Sequence, residues 1–224
     1  MVHEFEAIPY TYIADGHHRA ASAFNVSKMR KEKAAAAGIT LTGEEDFNYF
    51  LTILFPDNNL KVLDYNRVLK TLVDNTPEAV LSKLGKNYEV NEIKDDPKPN
   101  AKGMHSMLLN KKWYQLEAKP GSFDPKDPIK SLDVEILAQN VLKDIFGITE
   151  LRADKRIDFV GGIRGLKELE KRCNEDCVCA FAMYPVSIAE IMSVADNGMI
   201  MPPKSTWFEP KPRSGFVVHV IEDY

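Results

Sequence analysis

The sequence predicts an α+β fold, and three observations carry that prediction. Strand-like and helix-like stretches are interspersed along the chain. A hairpin signal at Asn110-Lys111, between MHSMLLN and KKWYQLEAK, breaks strict strand–helix alternation. Helix-start signals at Thr76-Pro77 and at Ser187-Ile188-Ala189-Glu190 set separate helices among the strands.

Taken in order, YTYIA reads as a strand, Asp15-Gly16 as a turn, and His17 to Ala37 as a helix that Gly38 ends. Thr42-Gly43-Glu44-Glu45 has capping-box spacing and predicts a short helix over EEDFNYF. LTILFP reads as a buried strand closed by the turn at 56–59. Tyr65 to Val73 reads as helical, and PEAVLSKL as a helix capped by Thr76. YEVNEI is a strand and DDPKPNAKG a loop. Val134, Leu137, Val141, Leu142 and Ile145 form an apolar stripe at helical spacing that ends at Gly147. RIDFV is a strand, Gly161-Gly162 a turn, GLKELEKR a helix and CVCAFAMY another strand. SIAEIMSVAD is a helix stopped by Asn197-Gly198, and FVVHVI closes the chain as a strand. The Pro-, Gly- and Asp-rich stretch PGSFDPKDPIKS gives the expected organisation: a first part over 1–118, a linker over 119–132 and an α+β subdomain over 133–224.

Composition narrows the function classes. With 224 residues, 44% hydrophobic and 28% charged, the chain can build a buried core, so a fibre or a disordered tail is excluded. Its apolar runs fall well short of the roughly 20 residues a membrane span needs. No basic segment followed by an apolar stretch opens the chain as a secretory signal would. A formal net charge of −4 without a long Lys/Arg run argues against nucleic acid or a membrane surface as the main partner. Cys173, Cys177 and Cys179 have the spacing C-x3-C-x-C, which lacks paired zinc knuckles and a fourth ligand; they read as structural thiols in a reducing, cytoplasmic setting.

The segment carrying most chemistry is Asp15-Gly16-His17-His18-Arg19. The first turn of a helix has unpaired N–H groups and the positive end of the macrodipole, so it attracts an anion. Gly16 lets the backbone approach a ligand, and Arg19 adds a fork of donors matched to phosphate oxygens. Asp15 caps the helix, orients a histidine, or holds a metal that rides on phosphates. The bland alternative leaves His17, His18 and Arg19 solvated on the first turn, but cations there oppose the dipole, and an anionic ligand removes that conflict.

The stretch YIADGHHRAASAF resembles the family catalogued as domain of unknown function 1015, also described as ParB-like. FLTILFPDNNLKVLDYNRV and MYPVSIAEIMSVADNGMIMPPKSTWFEPKPRSG resemble it further, in the same order. Members carry the HHR motif near their middle, so the resemblance implies that this chain is a C-terminal half and that an N-terminal half is missing. The motif is in turn similar to the ParB/sulfiredoxin-like strand-turn-helix. Sulfiredoxin has a cysteine where His17 falls, which argues against sulfinic-acid reduction. Free serine kinases carry a closer D-G-H-H-R version.

The resemblance implies nucleotide-phosphate binding by Gly16, His17, His18 and Arg19, with ADP or ATP and Mg²⁺ as cofactors. It implies catalytic roles for Asp15, His17 and His18 in phosphorylating free serine or a similar metabolite. The essential acidic base of those kinases precedes the motif, so the chain alone is expected to turn over poorly. The rival reading is a non-enzymatic ParB-like nucleotide-sensing or interaction module, and a homo-oligomer is compatible with either.

A second constellation lies at 201–215, where four prolines hold the chain extended. Lys204, Ser205, Thr206, Lys211 and Arg213 there set cations among hydroxyls and are candidate anion contacts; the alternative is a rigid connection anchored by Trp207 and Phe208. Arg67 reads as a surface ion pair or an anion contact. His105 and His219 alternate with apolar neighbours and read as packed histidines. Gly161-Gly162 lacks the residues of a P-loop, and no G-x-S-x-G or H-E-x-x-H is present.

Overall fold

A computed structural model describes residues 2–221, which divide into two units: 2–60 with 210–221, and 61–209. The larger unit confirms the α+β expectation. Its strands are β1 (Lys61–Leu63), β2 (Tyr65–Leu69), β3 (Tyr88–Ile93), β4 (Met104–Leu109), β5 (Lys112–Ala118), β6 (Ile157–Gly161), β7 (Cys179–Ala182) and β8 (Trp207–Glu209). Six of them form one antiparallel sheet in the order β3-β5-β4-β7-β2-β6, while β1 and β8 pair separately. The hairpin is as expected: β4 and β5 are joined by Asn110 and Lys111 at φ 50° and 63°, the left-handed pair that matches strand twist.

Tyr65–Leu69 is a strand rather than the expected helix. Its neighbours override local preference, because β2 is held between β6 and β7. The side chain of Asn66 ties it further, accepting the Met183 amide at 2.8 Å and donating to Asp64 at 2.6 Å. Alternation along the strands then gives two faces. Val68, Leu108, Val160, Ala180 and Ala182 pack with Leu169 of the helix Gly165–Glu175 and with Cys177. Arg67, Phe159, Phe181 and Met107, cross-strand partners of one another, occupy the opposite face. His105 lies on that second face, fully buried, with Nε2 3.1 Å from the Asp133 carbonyl and 3.3 Å from its carboxylate.

Two further helices follow their caps. Thr76 Oγ1 accepts the Ala79 amide at the start of Pro77–Leu84. The apolar stripe beginning at 134 is helical as Asp133–Leu137, running on as a π-turn over Ala138–Lys143. Ser187 and Glu190 form a reciprocal capping box at the start of Ile188–Asp196, and Gly198 and Met199 close that helix on Ala195 and Val194. Ser187→Ala is expected to cost about 1 kcal/mol of unfolding free energy, read from the urea midpoint. The 119–132 stretch lies within the larger unit.

The smaller unit contains α1 (Val2–Glu6) and α2 (His17–Ala36). Gly38 at φ 70° ends α2, with Gly38 N–H on Ala35 and Ile39 N–H on Ala34, as the sequence predicts. Three expected strands are absent from it: YTYIA, LTILFP and FVVHVI have no regular structure through 221. A strand exists only as part of a ladder, and none of these segments has a pairing partner among the described residues. Their apolar side chains stand exposed, Tyr10 by 77% and Ile53 by 55%. The expected helix EEDFNYF is a single 3-10 turn, Asp46–Asn48; the Glu45 carboxylate still reaches back to Thr42 Oγ1 at 2.9 Å.

Candidate functional site

The start of α2 is shaped by Gly16, which holds φ 89° and ψ 25° immediately before the first helical residue. Only glycine takes this left-handed conformation without strain. No side chain caps the helix, and its first turn contains no acidic residue, so no protein carboxylate on that turn answers the dipole. The Arg19 guanidinium folds back over Gly16: a Cβ placed there would stand 2.9 Å from Nη2 and 3.1 Å from Nε. A cationic fork is therefore stacked on the turn that exposes the helix amides.

Asp15 is engaged by the turn and by Lys211. Its Oδ1 accepts the Gly16 amide at 2.9 Å and its Oδ2 accepts Lys211 Nζ at 3.2 Å. Partial burial pushes the Asp15 carboxyl up, but Lys211, the Gly16 amide and Arg19 together outweigh it and hold the group below its ordinary value. Asp15 is thus an anion at neutral pH and a weak proton acceptor. His17 and His18 are exposed on the first turn, as is Arg213 further along the chain.

The structure brings Asp15, Gly16, Arg19 and Lys211 together within the smaller unit. Lys204, Ser205 and Thr206 belong to the larger one. There Ser205 is buried and its hydroxyl donates to the Pro202 carbonyl at 2.5 Å, closing a turn. Lys204 holds φ 56° and lies over the Tyr65 ring, 5.6 Å from its centroid.

Sequence reasoning misplaced Arg67, which is not a surface ion pair: it is 1% exposed, with its guanidinium over the Phe159 ring. Its setting on a period-2 strand was hidden by the helical reading of that segment. The thiols behave as structural groups; burial pushes Cys173 up to about 12 and Cys179 well above its ordinary value, so both stay protonated at neutral pH. Among the described residues, no group of three or more His, Cys, Asp or Glu side chains is placed to hold a metal, and no helix is long and apolar enough to cross a membrane.

Residues 1–135 match the family described as protein of unknown function DUF1015, and the chain belongs to that family. No curated protein matches it. Among solved structures it is similar to a free serine kinase in complex with AMP, at 14% identity and a TM-score of 0.43, covering 87% of this chain and 66% of that one. It is also similar to a mutant free serine kinase in complex with ADP, at 16% identity and a TM-score of 0.41 over the same shares. A third is a conserved hypothetical protein from Pyrococcus furiosus, at 17% identity and a TM-score of 0.41, covering 87% and 68%. The chain spans 66% of the length of the kinase chains it matches.

Proposed function

We propose that the start of α2 binds the phosphates of ADP or ATP, and that the protein phosphorylates a small hydroxylated metabolite such as free serine. One observation carries the reading: a left-handed Gly16 exposes the first-turn amides while the Arg19 guanidinium sits directly above it. Amides and guanidinium are the two donor types that bind phosphate oxygens. The resemblance of D-G-H-H-R to the free serine kinase version of the ParB/sulfiredoxin-like motif supports a nucleotide as the phosphate's source.

In the transfer, a P–O bond to the departing nucleotide breaks and a new one forms to the metabolite oxygen, whose proton passes to a base. Catalysis of this step is mostly positioning and charge neutralisation. Arg19 and the helix amides take the phosphate charge; His17 and His18 are exposed beside them and take the catalytic roles that the resemblance implies. Asp15, ionised, would be the residue to support a nucleotide-borne Mg²⁺, exchanging its Lys211 contact for the ion, since that ion needs only one or two carboxylates besides phosphate.

Calorimetric titration with ADP and with ATP plus Mg²⁺, followed by mass spectrometry of amino-acid mixtures, tests both steps. Arg19→Ala should weaken nucleotide binding about 10- to 100-fold, the worth of a charge-assisted hydrogen bond. Equal binding by wild type and Arg19→Ala overturns the phosphate site. Binding without a phosphorylated product, in a longer chain that includes any N-terminal half, gives the function to a sensing module instead.

A further inference from the structure

We propose that the larger unit contains a separate anion site, built on the buried guanidinium of Arg67 and specific for the carboxylate of a small organic acid. Arg67 lies in the middle of β2 with Phe159 of β6 and Phe181 of β7 as its cross-strand partners. Nη1 donates to the Tyr65 carbonyl on its own strand. Nε is buried without any hydrogen-bond partner, and no carboxylate among the described residues forms an ion pair with this side chain. Burial lowers its pKa to about 10, which leaves it cationic at neutral pH. An isolated buried charge is costly, and one carbonyl with one aromatic face offsets only part of that cost. An apolar residue would fill this position on the sheet at less expense, so the charge points to a ligand.

Aromatic rings pack around the guanidinium. The Phe159 ring, 5.6 Å from the guanidinium, meets Tyr65 edge-on at 6.1 Å. Tyr65 stands 5.7 Å from Trp207 and carries Lys204 Nζ over its face. Gly161 permits this layer: a Cβ there would lie 2.4 Å from the Trp207 ring. Arg67 is buried and Lys204 exposed, so a series of rings with a cation at each end runs from the interior to the surface. Lys204 keeps a left-handed φ of 56°. The two carboxylates nearby in sequence are engaged elsewhere: Asp64 accepts from Asn66, and Glu209 accepts from Trp207 Nε1 at 2.7 Å.

The geometry also selects the anion. The Nε edge of a guanidinium matches two coplanar oxygens, and a single negative charge neutralises the single buried positive one. A phosphate dianion would bring a second charge and a strongly held hydration shell among aromatic rings. The site uses neither α2 nor its turn, so its failure and that of the nucleotide reading are separable.

The test uses the full chain labelled with ¹⁵N-arginine, following the Arg67 Nε–H resonance. Titration with sodium acetate should shift that resonance saturably, whereas sodium chloride at equal ionic strength should not. Arg67→Met should abolish the rise in melting temperature that acetate gives the wild type. Arg19→Ala should leave the acetate response intact. No saturable shift with acetate, or an equal shift with chloride, overturns the site; a response to phosphate alone overturns the carboxylate assignment. The wild-type resonance decides the matter even if Arg67→Met fails to fold.

Discussion

Gly16→Val should lower ADP affinity by well over about 10-fold, more than removal of the Arg19 side chain alone. Two independent costs meet at this residue. The backbone holds φ 89°, and a β-branched residue in that region is strained by roughly 1–2 kcal/mol before any contact is considered. A Cβ would also stand 2.9 Å from Arg19 Nη2 and 3.3 Å from Cζ, so the guanidinium must shift from its place above the turn. The first cost reshapes the helix amides and the second displaces the cationic fork; both bear on phosphate. Gly38 supplies the internal control. It has φ 70° but open space around its Cβ position, so Gly38→Val should strain the end of α2 without touching nucleotide affinity. In the Gly16→Val/Arg19→Ala double variant the loss should be far from additive, because both substitutions remove the same guanidinium contact. Calorimetric titration with ADP measures each variant, and unchanged affinity in Gly16→Val would place the nucleotide elsewhere.

The same residue shows what a sequence can disclose. A glycine between a carboxylate and a basic helix start states its conformation and its helix locally, and α2 begins within that motif as read. Caps are equally local: Thr76, Ser187, Gly38 and Gly198 each specify a helix end through bonds reaching no further than a few residues. Strands are not local in this sense. YTYIA, LTILFP and FVVHVI have the residues of strands, but a ladder needs a partner, and the sequence of one strand does not say whether its partner is present. Tyr65–Leu69 fails in the opposite direction, since β6 and β7 make it a strand against a helical reading. A helical reading of that segment puts Arg67 on no sheet face and hides its burial. Lys211 was legible as a cation near prolines; its pairing with Asp15, 196 positions away, was not.

Phe181→Ala should destabilise the larger unit by about 3–5 kcal/mol, a substantial part of the 5–15 kcal/mol that holds a typical domain folded. Phe181 has no exposed surface and sits on β7 between Met107 of β4 and Arg67 of β2, at the middle of the sheet. Truncation leaves a cavity where strands from both sides fix the backbone, so the walls cannot collapse to fill it. Water entering that cavity would reach the Arg67 guanidinium and relieve part of its desolvation, which places the expected loss toward the lower end of the range. That compensation is itself measurable. In an Arg67→Met background the cavity holds no buried charge to hydrate, so Phe181→Ala should cost more there than in the wild type, by about 1 kcal/mol. Urea unfolding of the four proteins gives the coupling directly. A positive difference shows that Phe181 keeps solvent from Arg67; strict additivity would mean the guanidinium is already hydrated, and the sheet face would then be no barrier to water.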